Sequence, residues 1–444
     1  MTMSVIFHDL SHNDVLPDAL FKRTETDLSF FSERVAPIIE AVKTEGDAAL
    51  IRFARSFDAV VPETFSLRAE ESEFEQAFAR IDPEVIEAIR FAAGNIRAFH
   101  EAQKPEEMWL KEMQPGAFAG DRHVPINAVA CYVPRGKGSF PSVLLMTTIP
   151  AMVAGVPRAV VITPPGPDGK VDDATLVAAR IVGISEIYKC GGAQGVAAVA
   201  FGTETVPKCL KIVGPGSPWV VAAKRQLTHL IDPGVPAGPS ESIILADDNA
   251  NGALAALDLI IESEHGPDSS AWLVTSSRRV AEQAITLLPS LWGKLDQQRA
   301  DFSRRVLCGE HGGIVLTRDF ETAIAFVNRY APEHLEILAD EPMAVMTKIR
   351  NAGEILLGNH TPVTLGNFVL GPNAVLPTNG AAKTAGPLSV FDYMKRISIG
   401  YVTAAGYDNL AVKAKRFAEY EGFTGHALAV SDLRKKFLKG ETDV

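Results

Sequence analysis

Apolar residues recur at helical spacing through Leu28–Phe57 and Glu70–Gln103, with charges on the opposite face, so the first hundred or so residues read as helical. From Ala128 the texture changes. Ala128–Val133, Ala159–Thr163, Glu186–Cys190 and Lys211–Val213 are short apolar runs, separated by helical segments Ser142–Ala154, Ala174–Val182 and Gln194–Phe201. A second set follows, with strand-like runs Ser242–Ala246, Ala271–Val274, Ile314–Leu316 and Leu335–Leu338. Between them lie a helix ending at Glu264, one beginning at Arg278 and one over Asp319–Tyr330. Such alternation predicts parallel sheets flanked by helices. Beyond Pro377 the pattern returns to helix in Phe391–Arg396 and Asp408–Tyr420. The expected fold is therefore α/β: two tandem Rossmann-like parallel-sheet modules (111–235 and 236–376), a helical N-terminal segment (1–110) and a small helical C-terminal tail domain (377–444).

Composition narrows the function classes. A chain of 444 residues that is 47% hydrophobic buries a large core and is expected to form more than one domain. The net charge of −11, without a run of Lys or Arg, argues against nucleic acid as a partner. The N-terminus, Met1 to Asp9, has neither a basic region nor a long apolar stretch, so no secretory signal is read there. The most apolar stretch, Ser142–Thr163, is interrupted by Pro150, Pro157 and Arg158, which argues against a membrane span. Cys131, Cys190, Cys209 and Cys308 lie far apart with no CxxC, as expected of reduced, mostly buried thiols in a cytoplasmic protein.

Two segments carry candidate chemistry. Glu262 and His265 stand three residues apart at the end of an apolar helical run, a spacing that puts both on one helix face, close enough to share a metal ion. Taken alone, such a pair is more often a solvated face. In Ala331-Pro332-Glu333-His334-Leu335-Glu336, the proline ends a helix and presents an adjacent acid and imidazole at its exit, the residue types suited to proton transfer. Two glycine-rich turns, Cys190-Gly191-Gly192-Ala193-Gln194-Gly195 and Val213-Gly214-Pro215-Gly216-Ser217, follow expected strands. Backbone N–H groups there would approach a phosphate, although tight turning alone also accounts for the glycines.

In order, these segments resemble the histidinol dehydrogenase family. The resemblance rests on Ala130–Pro134, Gly191–Gln194, Ala200–Glu204, Lys211–Gly216, Ala237–Glu241, Glu264–Asp268, Tyr330–Glu336, Gly371–Asn373 with Val375–Thr378, and Glu421-Gly422 with His426. It spans most of the chain from residue 128 onward. It implies oxidation of an amino alcohol through an aldehyde to a carboxylate, with two NAD used in succession and one zinc per active site. Carried over by position, His334 is the base that draws protons from the alcohol and Glu333 activates water for the aldehyde step. Tyr132, Gln194 and Ser217 fall on NAD-contacting positions. Glu262, His265, Asn367 and His426 fall on the zinc ligands. Substrate contacts fall on Ser240, Glu262, His265, His334, Asn367, Glu421 and His426. The resemblance further implies a homodimer whose tail completes the partner's site.

The chain departs from the family's usual residues. Glu262 stands where Gln is usual and Asn367 where Asp is usual, opposite changes that conserve ligand charge and number. Ser217 replaces the usual Asn. In the substrate pocket Val363 replaces an acid, Phe368 a Tyr and Ala374 a His, while Arg135 and Lys137 stand where small residues are common. Each lost hydrogen bond to a charged group removes about 1.5–3 kcal/mol of recognition. The expectation is therefore a zinc- and NAD-dependent alcohol dehydrogenase acting on a small alcohol other than histidinol. An authentic histidinol dehydrogenase is the nearest alternative, and a non-catalytic metal- or nucleotide-binding homologue is the alternative of another class.

Overall fold

The structure, a computed structural model, describes residues 4–13, 15–23, 28–136 and 138–442. Its strands, in chain order, begin with β1 (Phe7–Leu10), β2 (Met108–Gln114), β3 (Ala117–Pro125) and β4 (Ala128–Tyr132). There follow β5 (Arg158–Ile162), β6 (Ile187–Tyr188), β7 (Lys211–Val213), β8 (Glu241–Ala246) and β9 (Ser270–Thr275). The last are β10 (Gly312–Thr317), β11 (His334–Leu338), β12 (Glu354–Leu357) and β13 (Met394–Val402). Internal contacts divide the chain into one unit of Met1–Lys104 with Ile126–Tyr393 and a second of Pro105–Pro125 with Met394–Val444.

The first unit holds two parallel sheets. Four strands run in the order β6-β5-β4-β7. Their residues are apolar on both faces because helices cover both, the usual condition of a parallel sheet. The helices Ser29–Glu45 and Asp47–Phe57 supply part of that cover: Val35, Ile39, Val42 and Leu50 share a core with Ala130, Ile162 and Val196. The expected separate N-terminal segment is thus part of this layer. Its helical pattern was legible, but its destination depends on long-range packing.

Six strands form the other sheet, in the order β1-β10-β9-β8-β11-β12. Alternate residues feed two cores, with Ile244, Ala246 and Leu273 on one face and Ile243, Leu245, Leu335 and Ile337 on the other. The N-terminal strand β1 was not foreseen. It adds to the edge beside β10, with Phe7 opposite Ile314, and is only four residues long.

The second unit departs further from expectation. Rather than a wholly helical tail, it joins an antiparallel sheet, ordered β13-β3-β2, to helices Ala404–Tyr420, Thr424–Ala429 and Asp432–Leu438. The expected helix Phe391–Arg396 is a single 3-10 turn, Val390–Tyr393, followed at once by β13. That strand pairs with β3 along its whole length, from Met394 opposite Pro125 to Val402 opposite Ala117. Such pairing overrides the local pattern, and β2, exposed at every position, carries no alternation of buried residues that would mark it as a strand.

Candidate active site

Two clusters in the first unit gather most of the expected residues. One lies beyond the carboxyl ends of β4, β6 and β7. Tyr132, the last residue of β4, is buried, and its hydroxyl accepts a hydrogen bond from the Gly192 N–H at 3.3 Å. Burial raises that phenol to about 12. Gly192 has φ +58, and a Cβ there would come within 2.7 Å of the Gln194 side chain, itself buried in the first turn of helix Gly192–Phe201. Gly214 has φ +109, and a Cβ there would strike the Tyr132 carbonyl. Both turns therefore need glycine, and both close onto Tyr132. Ser217 is exposed at the N-cap of helix Pro218–Gln226. Neither this helix nor Gly192–Phe201 has an N-cap side chain bonded to its first amides.

Lys224 was not foreseen. Its buried ammonium donates to the Gly214 carbonyl at 2.9 Å and is lowered to about 8 by burial. It braces the second glycine turn from beneath. The cations expected beside the Tyr132 loop fare differently. Arg135 donates to the Lys170 carbonyl at 2.8 Å, which ties it into the neighbouring loop. Lys137 lies outside the described residues. Cys131 is fully buried, with its thiol pushed up to about 12, and is unsuited to act as a nucleophile.

The second cluster lies at the amino ends of β8, β11 and β12. Helix Gly252–Ser263 runs back along the sheet, so its C-terminus arrives there carrying Glu262, with His265 just beyond. His265 Nδ1 is 2.8 Å from Glu262 Oε2 and 3.0 Å from Ser240 Oγ. Asn367 Nδ2 donates to Glu262 Oε1 at 2.8 Å. Burial opposes ionisation of Glu262, but the imidazoles of His265 and His334 outweigh it and hold the carboxyl down at about 2. His265 is raised in turn, chiefly by Glu262.

Glu333 and His334 are both buried. The preceding Ala331 takes up φ +56, the left-handed conformation in which many helices end, and closes helix Phe320–Tyr330 ahead of Pro332. Glu333 Oε2 accepts the Glu241 N–H at 2.9 Å, and Oε1 lies 3.9 Å from His334 Nε2. Burial pushes Glu333 up to about 8. Burial works against a charged His334, yet the carboxylates of Glu262, Glu354 and Glu333 overcome it and raise the imidazole to about 9. On its other side His334 Nδ1 is 3.0 Å from Glu354 Oε2.

Two further acids were not singled out beforehand. Glu354 opens β12, where a charged residue ahead of the apolar run Ile355-Leu356-Leu357 was the available signal. Glu336, two residues beyond His334 on β11, is buried near Asp258; burial and that neighbour raise it to about 9.

The remaining expected residues belong to the second unit. Glu421 caps helix Ala404–Tyr420 and His426 lies in helix Thr424–Ala429; both are exposed. Of the four expected metal ligands, Glu262, His265 and Asn367 are brought together. Among the described residues no group of three or more His, Cys, Asp and Glu side chains is placed to hold a metal ion. The three assembled residues nevertheless fit a cation: the buried Glu262 carboxylate lies beside an imidazole and at a helix C-terminus, whose dipole favours positive charge. Asn367 turns its NH₂ towards Glu262, which makes it the weakest donor of the three.

Residues 21–434 match the model of the family described as histidinol dehydrogenase. The chain belongs to the histidinol dehydrogenase family. A histidinol dehydrogenase homolog from Cereibacter sphaeroides is 63% identical over 95% of this chain and 96% of that protein. The histidinol dehydrogenase of Synechocystis sp. is 46% identical over 93% of this chain and 95% of that protein. The crystal structure of histidinol dehydrogenase from Elizabethkingia anophelis superposes with a TM-score of 0.91 at 32% identity, covering 98% of this chain and 99% of that one. The mixed α/β architecture with parallel sheets is thus that of the histidinol dehydrogenase family, an oxidoreductase family acting on CH–OH groups. Among the described residues, no helix is long and apolar enough to cross a membrane.

Proposed function

We propose that this chain is an NAD- and zinc-dependent dehydrogenase that oxidises histidinol in two successive steps. The observation that carries the reading is the buried pair Glu333–His334 beside the Glu262–His265 cluster. The expectation of a different alcohol finds no support in the comparisons, which favour histidinol through the Synechocystis protein and the Elizabethkingia structure.

When bound, NAD supplies the hydride acceptor and zinc a Lewis acid that favours loss of the hydroxyl proton. Tyr132, Gln194 and the amides at the two glycine turns would hold the first; Glu262 and His265 the second, with Asn367 a weaker ligand. His334 takes the hydroxyl proton at Nε2 as the C–H hydride leaves, which yields the aldehyde. In the second step Glu333 draws a proton from water as that water attacks the aldehyde carbon, and the hydrate so formed gives a hydroxyl proton to His334 as its C–H hydride leaves for a second NAD, which yields the carboxylate. Burial keeps both groups away from competing bulk water.

A second reading, an alcohol other than histidinol, retains one specific observation. Val363 is fully buried at the start of helix Val363–Phe368 and offers no charge to a cationic substrate. NADH production with histidinol and with a panel of small alcohols separates the two. Efficiency with histidinol near 10⁴ M⁻¹s⁻¹ or above, roughly the lower bound for a dedicated enzyme, supports the first. A much higher efficiency on another alcohol overturns it.

The tail residues suggest shared sites in a homodimer. Glu421 and His426 are exposed, as are the apolar Phe417, Tyr420, Phe423 and Leu428 around them. A second copy of the chain would cover such a face. Mixing inactive His334→Ala with inactive His426→Ala protein should then restore part of the activity through hybrid dimers. Demonstrated subunit exchange without recovered activity rules the shared site out.

A further inference from the structure

The site contains a carboxylate that the proposed chemistry does not use. Glu354 opens β12 directly opposite His334 at the start of β11, the two being register partners in adjacent parallel strands. Both side chains are buried, and Glu354 Oε2 lies 3.0 Å from His334 Nδ1. The other oxygen, Oε1, has no hydrogen-bond partner and lies close to Gly366, where a Cβ would come within 2.7 Å of it. The imidazole is therefore the one side chain bonded to this acid among the described residues.

A buried carboxylate is costly unless something donates to it. Here the available donor is Nδ1–H. Once neutral, an imidazole that donates through Nδ1 carries its lone pair on Nε2, the nitrogen that faces Glu333 at 3.9 Å. We infer that Glu354 is a positioning residue that holds His334 in the tautomer with a bare Nε2, and that it stabilises the imidazolium formed when Nε2 takes the substrate proton. The balance is simple: the hydroxyl proton moves to Nε2, the hydride moves to NAD, and the Nδ1 proton stays on nitrogen. The strand register fixes the two backbones opposite each other, so the carboxylate reaches Nδ1 from the adjacent strand.

The inference rests on His334 being the base, so the test separates the two. In the zinc-loaded protein, Glu354→Gln is expected to lower kcat roughly 10²-fold or more, at the scale of a misoriented base. KM for NAD and bound zinc should stay as in the wild type. Combining it with His334→Asn should cost no more than His334→Asn alone, since groups that act as a unit are not additive. Wild-type turnover in Glu354→Gln, with His334→Asn inactive, overturns the positioning role and leaves the base intact. Wild-type turnover in His334→Asn overturns the base itself. Losses that multiply in the double variant, with lower zinc content, mark Glu354 as merely structural. If the glutamine variant does not fold, nitrogen NMR of the wild-type protein decides. The His334 signals, assigned by their absence from His334→Asn, should show protonated Nδ1 and bare Nε2 at the pH of maximal turnover; the reverse tautomer overturns the inference.

Discussion

The two parallel sheets of the first unit present opposite ends to their chemistry. At the four-stranded sheet, Tyr132, Gln194 and the glycine turns sit where strands finish and helices begin. At the six-stranded sheet, Glu241, His334 and Glu354 sit where strands begin, and Glu262 arrives on a helix that is finishing. Helix N-termini offer amide protons and the positive end of a dipole; C-termini offer carbonyls and the negative end. The first end suits a phosphate-bearing cofactor. The second suits a cation and has drawn in ionisable groups. One architecture thus offers opposite electrostatic environments according to which strand end is used.

The sharpest way to break this contrast is to remove the base. His334→Asn should lower kcat by about 10²–10⁴-fold, the usual contribution of a positioned general base. Affinity for NAD, measured by fluorescence titration, should be unaffected, because the residues proposed to hold it lie at the other sheet. Weakened NAD binding together with retained turnover would mean that the division of labour has been drawn at the wrong place.

This division was only partly legible in the sequence. Each strand of the two parallel sheets after residue 128 was read as an apolar run, because a strand covered on both faces admits little else, except β12, which is half-exposed at alternate positions and was missed. The residues of the site were legible where their types are unusual together, as in Glu333-His334 and in Glu262 with His265. Glu354 was not, because its significance lies in facing His334 across a strand pair, a relation between positions twenty residues apart. The antiparallel strands Met108–Gln114 and Met394–Val402 escaped for a similar reason: their pairing through β3 joins distant parts of the chain. Exposed on nearly every residue, they lack the alternation that burial imposes.

A middle-sized effect should come from pH in metal-free protein. Glu241, Glu333 and Glu336 are raised, chiefly by burial, to about 7, 8 and 9. Each keeps a proton in the folded state that the unfolded chain releases. Their stabilising contribution is complete below the unfolded carboxyl value and disappears as pH climbs through 7 to 9. His334, raised to about 9 from 6.5, acts in the same direction, losing its contribution as pH rises through 9. Glu262, held at about 2, acts oppositely: its contribution is complete above the unfolded value and is lost as pH falls towards 2. The unfolding temperature without metal should therefore peak near pH 5 and decline towards pH 9, roughly where those contributions begin and end. Added zinc should flatten the alkaline decline, because a bound cation favours deprotonated ligands. A metal-free profile that is level from about pH 5 to 9 would contradict the charge balance assigned to this end of the sheet.

The smallest effect belongs to the neutral end. Tyr132→Phe removes one hydroxyl that accepts from Gly192 N–H at 3.3 Å, a long bond between uncharged groups. Its loss should lower stability by about 0.5–1.5 kcal/mol, the net worth of such a bond. The effect on NAD should be felt as affinity rather than rate, since Gly192 starts the helix whose amides would face the cofactor. KM for NAD should rise by up to about tenfold, the factor that 1.4 kcal/mol represents, while kcat at saturating NAD stays near wild type. The phenol, raised to about 12 by burial, has no proton to give near neutrality, so the pH dependence of kcat should be the same in both proteins. A displaced pH profile in Tyr132→Phe would bring the neutral end into the proton chemistry and erase the contrast between the two sheets.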